Sequence, residues 1–348
     1  MFGTDATGDM ASFDIDLIIF GRFDDQLSEE VLASAWPRYS DTNGRPVVGV
    51  VSINPKIEYS KLNSEYAFQS TIVHEFTHIL GFIINYFENV YKNIITKTDE
   101  DGVTRSYLNS AKLLSVAKKY YNCSSIDGVK LEEYGGEGTA GSHWDARILL
   151  GEYMIGVSYT EEEVLSEFTL ALLEDTGFYK ANYYTGGLMR YGKGKGCDFV
   201  KKKCVNSGEI NPLFENEFFD SIQSENNVDA SCSSGRLSRA YRFFGTYDNI
   251  PSYYQYFKET SHGGFPAADY CPVSLPSNEE NENIYYVGHC SKLGSGEYGT
   301  LIKYPLEEEV DINGTKYLKT SFYSNKSADL VDITGELIRI IHFVIKVL

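Results

Sequence analysis

The sequence predicts an α+β fold, and three observations carry the prediction. Apolar runs near the N-terminus have strand character. One well-patterned helix follows them and holds two histidines four residues apart. Beyond about residue 195 the chain turns to short polar and aromatic pieces, turns and cysteines, with no long helical period. The 348 residues suffice for two ordinary domains, or for one with large insertions. A hydrophobic content of 42% is enough to build a core.

Phe13 to Phe20 passes from alternation into an apolar stretch and reads as a strand. Leu27 to Trp36 is a short helix candidate. Asp41 to Arg45 is a turn marked by Asn43-Gly44. Val47 to Ile53 is a second strand, closed by Asn54-Pro55. The main helix runs from about Glu65 to Leu80. Ile72, Val73, Phe76, Ile79 and Leu80 form its apolar face, with His74 and His78 on the flank. Gly81 offers a stop and a change of direction. An acidic turn at Thr98–Gly102, a short helix from Ser110 to Tyr120 and a glycine-rich loop at Gly135–Gly138 follow. Ser166 to Asp175 reads as a helix ended by Thr176-Gly177. A soft domain boundary falls near 195–205, and there are no internal repeats.

Charge and targeting signals narrow the function classes. A formal net charge of -18 argues against nucleic acid and anionic membranes as main partners. The acidic runs Glu161-Glu162-Glu163 and Glu307-Glu308-Glu309 read as solvated faces. No run of about 18 apolar residues exists, so no ordinary transmembrane span is expected. The first residues have neither the basic start nor the apolar core of a signal peptide. The tail from Leu337 to Leu348 is apolar but carries three basic residues, unlike a lipid-anchor signal. Cys123, Cys197, Cys204, Cys232, Cys271 and Cys290 are widely spaced and even in number, which suits disulfides in an oxidising compartment. Six cysteines allow 15 pairings, and spacing does not choose among them. Sequons at Asn122, Asn313 and Asn325 are candidate glycosylation sites of the same compartment.

The stretch His74-Glu75-Phe76-Thr77-His78 carries the chemistry. Histidines four apart on a helix share one face, one turn apart, and can bind one metal ion. The glutamate after the first histidine then stands beside the open coordination position. This is the pattern of zinc-assisted hydrolysis, with Glu75 taking a proton from the attacking water. A catalytic zinc needs a third protein ligand. The short pattern with a histidine three residues after Gly81 fails, because Ile84 stands there. A glutamate ligand on a later helix is an alternative, but Glu88 is too near and Glu100 lies in a turn. His143 is the best third candidate. His262 and His289 read as structural or solvent-exposed.

His74-Glu75-x-x-His78-x-x-Gly81-Phe82, a long insertion, His143-Trp144 and then Met154 resemble the leishmanolysin family of metzincin proteases, the group that includes the invadolysins. Arg45-Pro46-x-x-Gly49 before Ile53-Asn54-Pro55 is similar to that family's entry into its active-site helix. The run from Thr169 to Tyr179 is similar to the helix after its methionine turn. Segments around Cys197–Cys204, Cys232, Cys271-Pro272 and His289-Cys290 are similar to its C-terminal cysteine segments. The resemblance covers roughly residues 13 to 300.

The resemblance implies a metzincin-type zinc protease domain, with a twisted mixed sheet plus the active-site helix, followed by a cysteine-containing, loop- and strand-rich C-terminal region. It implies a catalytic subdomain over 1–82, an inserted segment over 83–142, a third-ligand and methionine-turn segment over 143–200, and a C-terminal domain over 201–348, possibly incomplete. Carried over by position, His74, His78 and His143 bind one Zn2+ per chain, Glu75 is the general base, and Met154 forms the floor under the metal. Gly81 lets the chain turn toward His143. The resemblance also implies protein or peptide substrates held in extended form against an edge strand from the Val47–Ile53 region. Family members are secreted or cell-surface proteins linked to adhesion. Three departures stand out: Asp145 in place of the usual glutamate after His-Trp, no visible signal peptide or pro-segment, and no cysteine before the active-site helix; the cysteine count is also low. A catalytically inactive or truncated surface or adhesion protein with the same fold is the alternative reading.

Overall fold

The computed structural model describes residues 16–57, 65–136, 138–158, 163–183, 186–187, 189–214, 217–219, 231–236, 239–276, 307–312 and 315–320. The architecture is mixed α/β with several small sheets. β1 (Ile18–Phe23), β2 (Ala33–Ser40) and β3 (Pro46–Ile53) form one sheet in the order β1-β3-β2. β1 runs parallel to β3, while β2 is antiparallel to it. β1 therefore extends to Phe23, three residues past the expected end, because its pairing follows β3 to Ile53.

Two expectations are corrected here. Leu27–Trp36 is not a helix: turns occupy its first part, and β2 begins at Ala33. The local composition is helical, but pairing with β3 decides otherwise. Alternation places Ala33 and Ala35 in the core, and the Asn54 side chain ties down the Ser28 and Val31 carbonyls at 2.8 Å each. The second correction concerns β3. It is the central strand, flanked on both sides, so among the described residues the sheet edges belong to β1 and β2.

α1 (Glu65–Ile79) crosses this sheet and packs Ile79 against Ala35 and Val51. α2 (Ile84–Asn89) leads into a sheet of β4 (Ile94–Thr98), β5 (Thr104–Leu108) and β6 (Val129–Lys130), in that order. The acidic turn closes the β4–β5 hairpin, and the Asp99 amide donates to the Val103 carbonyl at 2.9 Å. α3 (Ala111–Tyr121) separates β5 from β6. The Asp175 carboxylate, at the end of α5 (Glu167–Asp175), accepts the Lys112 and Leu113 amides and caps α3. α4 (Ala146–Leu149) follows His143, and Asp145 caps it. Trp144, Met154, Phe168, Phe82 and Leu113 share the largest core cluster.

The described residues beyond α6 (Cys197–Lys201) form strands of two to six residues with short 3-10 turns. They are joined to the preceding part by buried charge and by sulfur. Lys130 pairs with Asp145 at 2.5 Å and with Asp269 at 2.6 Å. Arg105 is held by Asp99, Asp101 and Glu133, with Tyr254 beside it. Disulfides join Cys123 to Cys197 and Cys204 to Cys271. Cys232 is also disulfide-bonded, and its partner lies outside the described residues, as does Cys290. Asn122 is exposed at the left-handed C-cap of α3, while Asn313 and Asn325 lie outside the described residues. Glu163 does not belong to a solvated face: its carboxylate accepts from Ser70 of α1 at 2.7 Å. No helix of the described residues is long and apolar enough to cross a membrane.

Candidate metal centre

α1 presents His74 and His78 one turn apart because a 3.6-residue period aligns positions i and i+4. The helix stops in a Schellman turn. The Phe82 amide donates to the Thr77 carbonyl at 3.1 Å, and the Gly81 amide donates to the His78 carbonyl at 3.0 Å. Gly81 adopts φ of 106°, and a Cβ there would stand 2.0 Å from Tyr91 Oη, so only glycine fits. The reversal returns the Phe82 carbonyl to its own helix, where it accepts from His78 Nδ1 at 2.7 Å.

His143 arrives from the segment after β6. The Glu132 amide donates to the His143 carbonyl at 2.9 Å, and the Trp144 amide donates to the Met154 carbonyl at 2.9 Å. These two bonds place the histidine between the inserted segment and the methionine turn. The three Nε2 atoms then meet: His74 to His78 at 3.0 Å, His74 to His143 at 3.1 Å, and His78 to His143 at 3.2 Å.

The protons of these rings are decided by their other nitrogens. His74 Nδ1 faces the Tyr153 carbonyl at 2.7 Å, His78 Nδ1 the Phe82 carbonyl at 2.7 Å, and His143 Nδ1 the Thr139 carbonyl at 2.8 Å. A carbonyl only accepts, so each Nδ1 carries the hydrogen and each Nε2 is a bare lone pair. Burial pushes the imidazoles down, His74 to about 4, His143 to about 3 and His78 well below its usual range. All three are neutral near pH 7. Three lone pairs at this spacing repel one another, and a cation among them removes the repulsion. Nitrogens bound tetrahedrally at about 2.0–2.1 Å lie about 3.3 Å apart, close to the observed triangle. The donor set can hold a metal ion. It is the only converging group of three or more histidine, cysteine or acidic side chains among the described residues. Glu88 and Glu100 are exposed and lie outside it, as does His262.

Glu75 follows His74 on the helix and is 5% exposed. Burial pushes its carboxyl up to about 8, and its Oε2 has no hydrogen-bond partner among the described residues. A desolvated carboxyl of this kind can accept a proton near neutral pH.

The turn that carries Met154 is held chiefly through Glu152. Glu152 is wholly buried. Its carboxylate accepts the Met154 amide at 2.5 Å, the Ser166 hydroxyl at 2.8 Å and the Thr169 hydroxyl at 2.6 Å. Trp144 Nε1 donates to the same Thr169 hydroxyl at 2.9 Å. Met154 is wholly buried in the core beside Trp144. Gly156 lies close beneath: a Cβ would stand 2.5 Å from Thr139 Cγ2 and 3.5 Å from His143 Cγ. Sequence reasoning missed Thr77, Thr139, Glu152 and Tyr153. Their only signal is proximity to the histidine and methionine motifs.

The sequence profile of the leishmanolysin family matches residues 7–284. This chain belongs to the leishmanolysin family. It is 29% identical over 287 residues to leishmanolysin of Leishmania major, covering 79% of this chain and 43% of that protein. A leishmanolysin homolog of Crithidia fasciculata is 32% identical over 257 residues, covering 73% of this chain and 37% of that protein. A leishmanolysin-like peptidase of Drosophila melanogaster is 27% identical over 311 residues, covering 71% and 44% respectively. The chain thus spans less than half the length of these family members.

Proposed function

We propose that the chain is a zinc-dependent metalloendopeptidase of the leishmanolysin type, with His74, His78 and His143 as ligands of one zinc ion. The observation that carries this is the triangle of three neutral Nε2 atoms within 3.2 Å of one another. Bound there, zinc supplies Lewis-acid polarisation of a peptide carbonyl and makes water more acidic. Glu75 takes the proton of the attacking water and passes it to the leaving amine. Its burial beside His74, with an oxygen that has no hydrogen-bond partner among the described residues, supports that role. Met154 forms an apolar floor, and Gly81 supplies the turn.

The three-stranded mixed sheet under α1 supports the metzincin-type architecture, with 1–82, 83–142, 143–200 and 201–348 as successive parts. Substrate is a protein segment in extended form. Since β3 is central, the edge offered to it is that of β2, which runs antiparallel to its neighbour. The disulfides suit an extracellular or cell-surface setting.

The test is metal content together with cleavage of a quenched peptide, run beside Glu75→Gln. One zinc per chain is expected in both proteins. Cleavage is expected to fall by about 10²–10⁴-fold in the variant. Cleavage at the wild-type rate by the variant would sink the assignment. Zinc without cleavage by the wild type would favour the inactive adhesion protein instead.

A further inference from the structure

Tyr153 contacts α1 twice, by two different atoms. Its carbonyl accepts from His74 Nδ1 at 2.7 Å, and its hydroxyl lies 2.6 Å from Thr77 Oγ1. Thr77 in turn donates to the Val73 carbonyl at 2.9 Å. Val73 and Thr77 bracket His74 on the helix, so the contacts form a closed ring around that histidine. All the participants except His74 are buried, Tyr153 at 5% exposure.

We infer that Tyr153 is a positioning residue for the metal centre, fixing the His74 ring through a hydroxyl bolt to Thr77. The inference rests on the proposed role of His74 as a ligand. The carbonyl alone orients the imidazole, but a carbonyl on a turn is only as steady as the turn. The hydroxyl fastens that same residue to the helix that carries the imidazole. Motion of the turn relative to α1 then cannot separate the carbonyl from the ring without also breaking the second bond. Partners that orient a ligating histidine in this way typically change metal affinity 10–100-fold.

The proton count makes the bolt directional. A threonine hydroxyl has one hydrogen, and Thr77 spends it on the Val73 carbonyl. Tyr153 must therefore be the donor to Thr77. Burial holds the phenol well above its usual range, so it keeps its proton. Removing the phenol oxygen leaves Thr77 with a spare lone pair. Removing the threonine hydroxyl leaves a buried O–H with no acceptor, which is the more harmful of the two.

The experiment measures zinc release from the loaded full chain to an excess of chelator, together with melting temperature. Tyr153→Phe is expected to release zinc about tenfold faster. Thr77→Val is expected to release it at least as fast and to melt lower. The double variant is expected to release no faster than the worse single one, because both remove the same bond. Thr77→Ser keeps the hydroxyl and should restore the wild-type rate. Tyr121→Phe is the control: it loses an equally buried bond, to the Ile148 carbonyl at 2.7 Å, and should change melting without changing release. Wild-type release from Tyr153→Phe, or multiplying effects in the double variant, would overturn the inference while leaving the zinc centre standing. A wild-type chain that takes up no zinc would overturn both.

Discussion

Gly49 lies directly beneath Ile79: a Cβ on the glycine would stand 2.3 Å from Ile79 Cγ2. The contact joins the middle of β3 to the last turn of α1, next to His78. It sets how closely the helix rests on the sheet. Gly49→Ala forces the two apart, and overpacking of this kind costs about 1–3 kcal/mol. Denaturant melting checks the expectation. Because the introduced methyl would meet the Ile79 side chain, Gly49→Ala and Ile79→Ala should combine for less than the sum of their separate losses. Strict additivity would mean that the contact does not hold the helix.

Glu152 makes stability depend on pH in an unusual direction. Burial outweighs its four hydrogen bonds and pushes the carboxyl up to about 7, from an ordinary 4.5. The folded chain therefore holds a proton that the unfolded chain has released between those values. Stability from this group is highest near pH 4.5 and falls as pH rises through about 7. A paired carboxylate would do the opposite. The span corresponds to roughly 3 kcal/mol. Glu152→Gln does not titrate. The wild type should gain on this variant by that order as pH falls from 7 to 4.5, and parallel profiles would refute the assignment.

The Cys204–Cys271 disulfide closes a loop with a sequence separation of 67 residues. Cross-linking a loop of that length removes unfolded-state entropy worth about 4 kcal/mol. Cys204→Ala combined with Cys271→Ala should lower the melting temperature accordingly. A reductant should lower the melting temperature of the wild type by more than that of the variant, which no longer has this bond to lose. No shift in either case would show that this bond does not anchor the C-terminal region.

If zinc occupies the proposed site, stripping it should destabilise the chain, because three lone pairs then face one another. A ligand at about 1,000 times its Kd contributes about 4 kcal/mol to the folded state. The melting temperature of zinc-loaded protein should drop when a chelator is added. His143→Ala should lose most of that response. A full response in His143→Ala would point to a different third ligand, such as a glutamate.

The parts of the fold that were legible in the sequence have local causes. α1 declared itself by its apolar period and ended at a glycine that its own turn requires. α5 announced its start with Ser166, whose hydroxyl accepts the Phe168 amide, whereas α3 begins after Ser110 but is capped from a distance by Asp175. β2 was hidden because Leu27–Trp36 is rich in helix formers, and only pairing with β3 overrides that preference. The central place of β3 was hidden for the same reason: strand order is a property of partners. Around the candidate site, the histidine pair was legible and its anchors were not. Thr139 and Tyr153 act on the rings through backbone carbonyls, which leave no mark on the identity of a side chain.

The sequence by itself determined that His74 and His78 lie one turn apart, since the helical period fixes that spacing over five residues. It also determined where that helix must turn back, at Gly81. Only the tertiary structure decided that His143 meets them, 65 residues beyond His78, and which cysteines pair. Those outcomes depend on bonds between segments apart in the chain: backbone bonds from Glu132 to His143 and from Trp144 to Met154, and the Tyr153 carbonyl accepting from the His74 ring. A local period propagates along a chain through neighbouring hydrogen bonds, whereas a long-range meeting exists only once the whole core has closed around it.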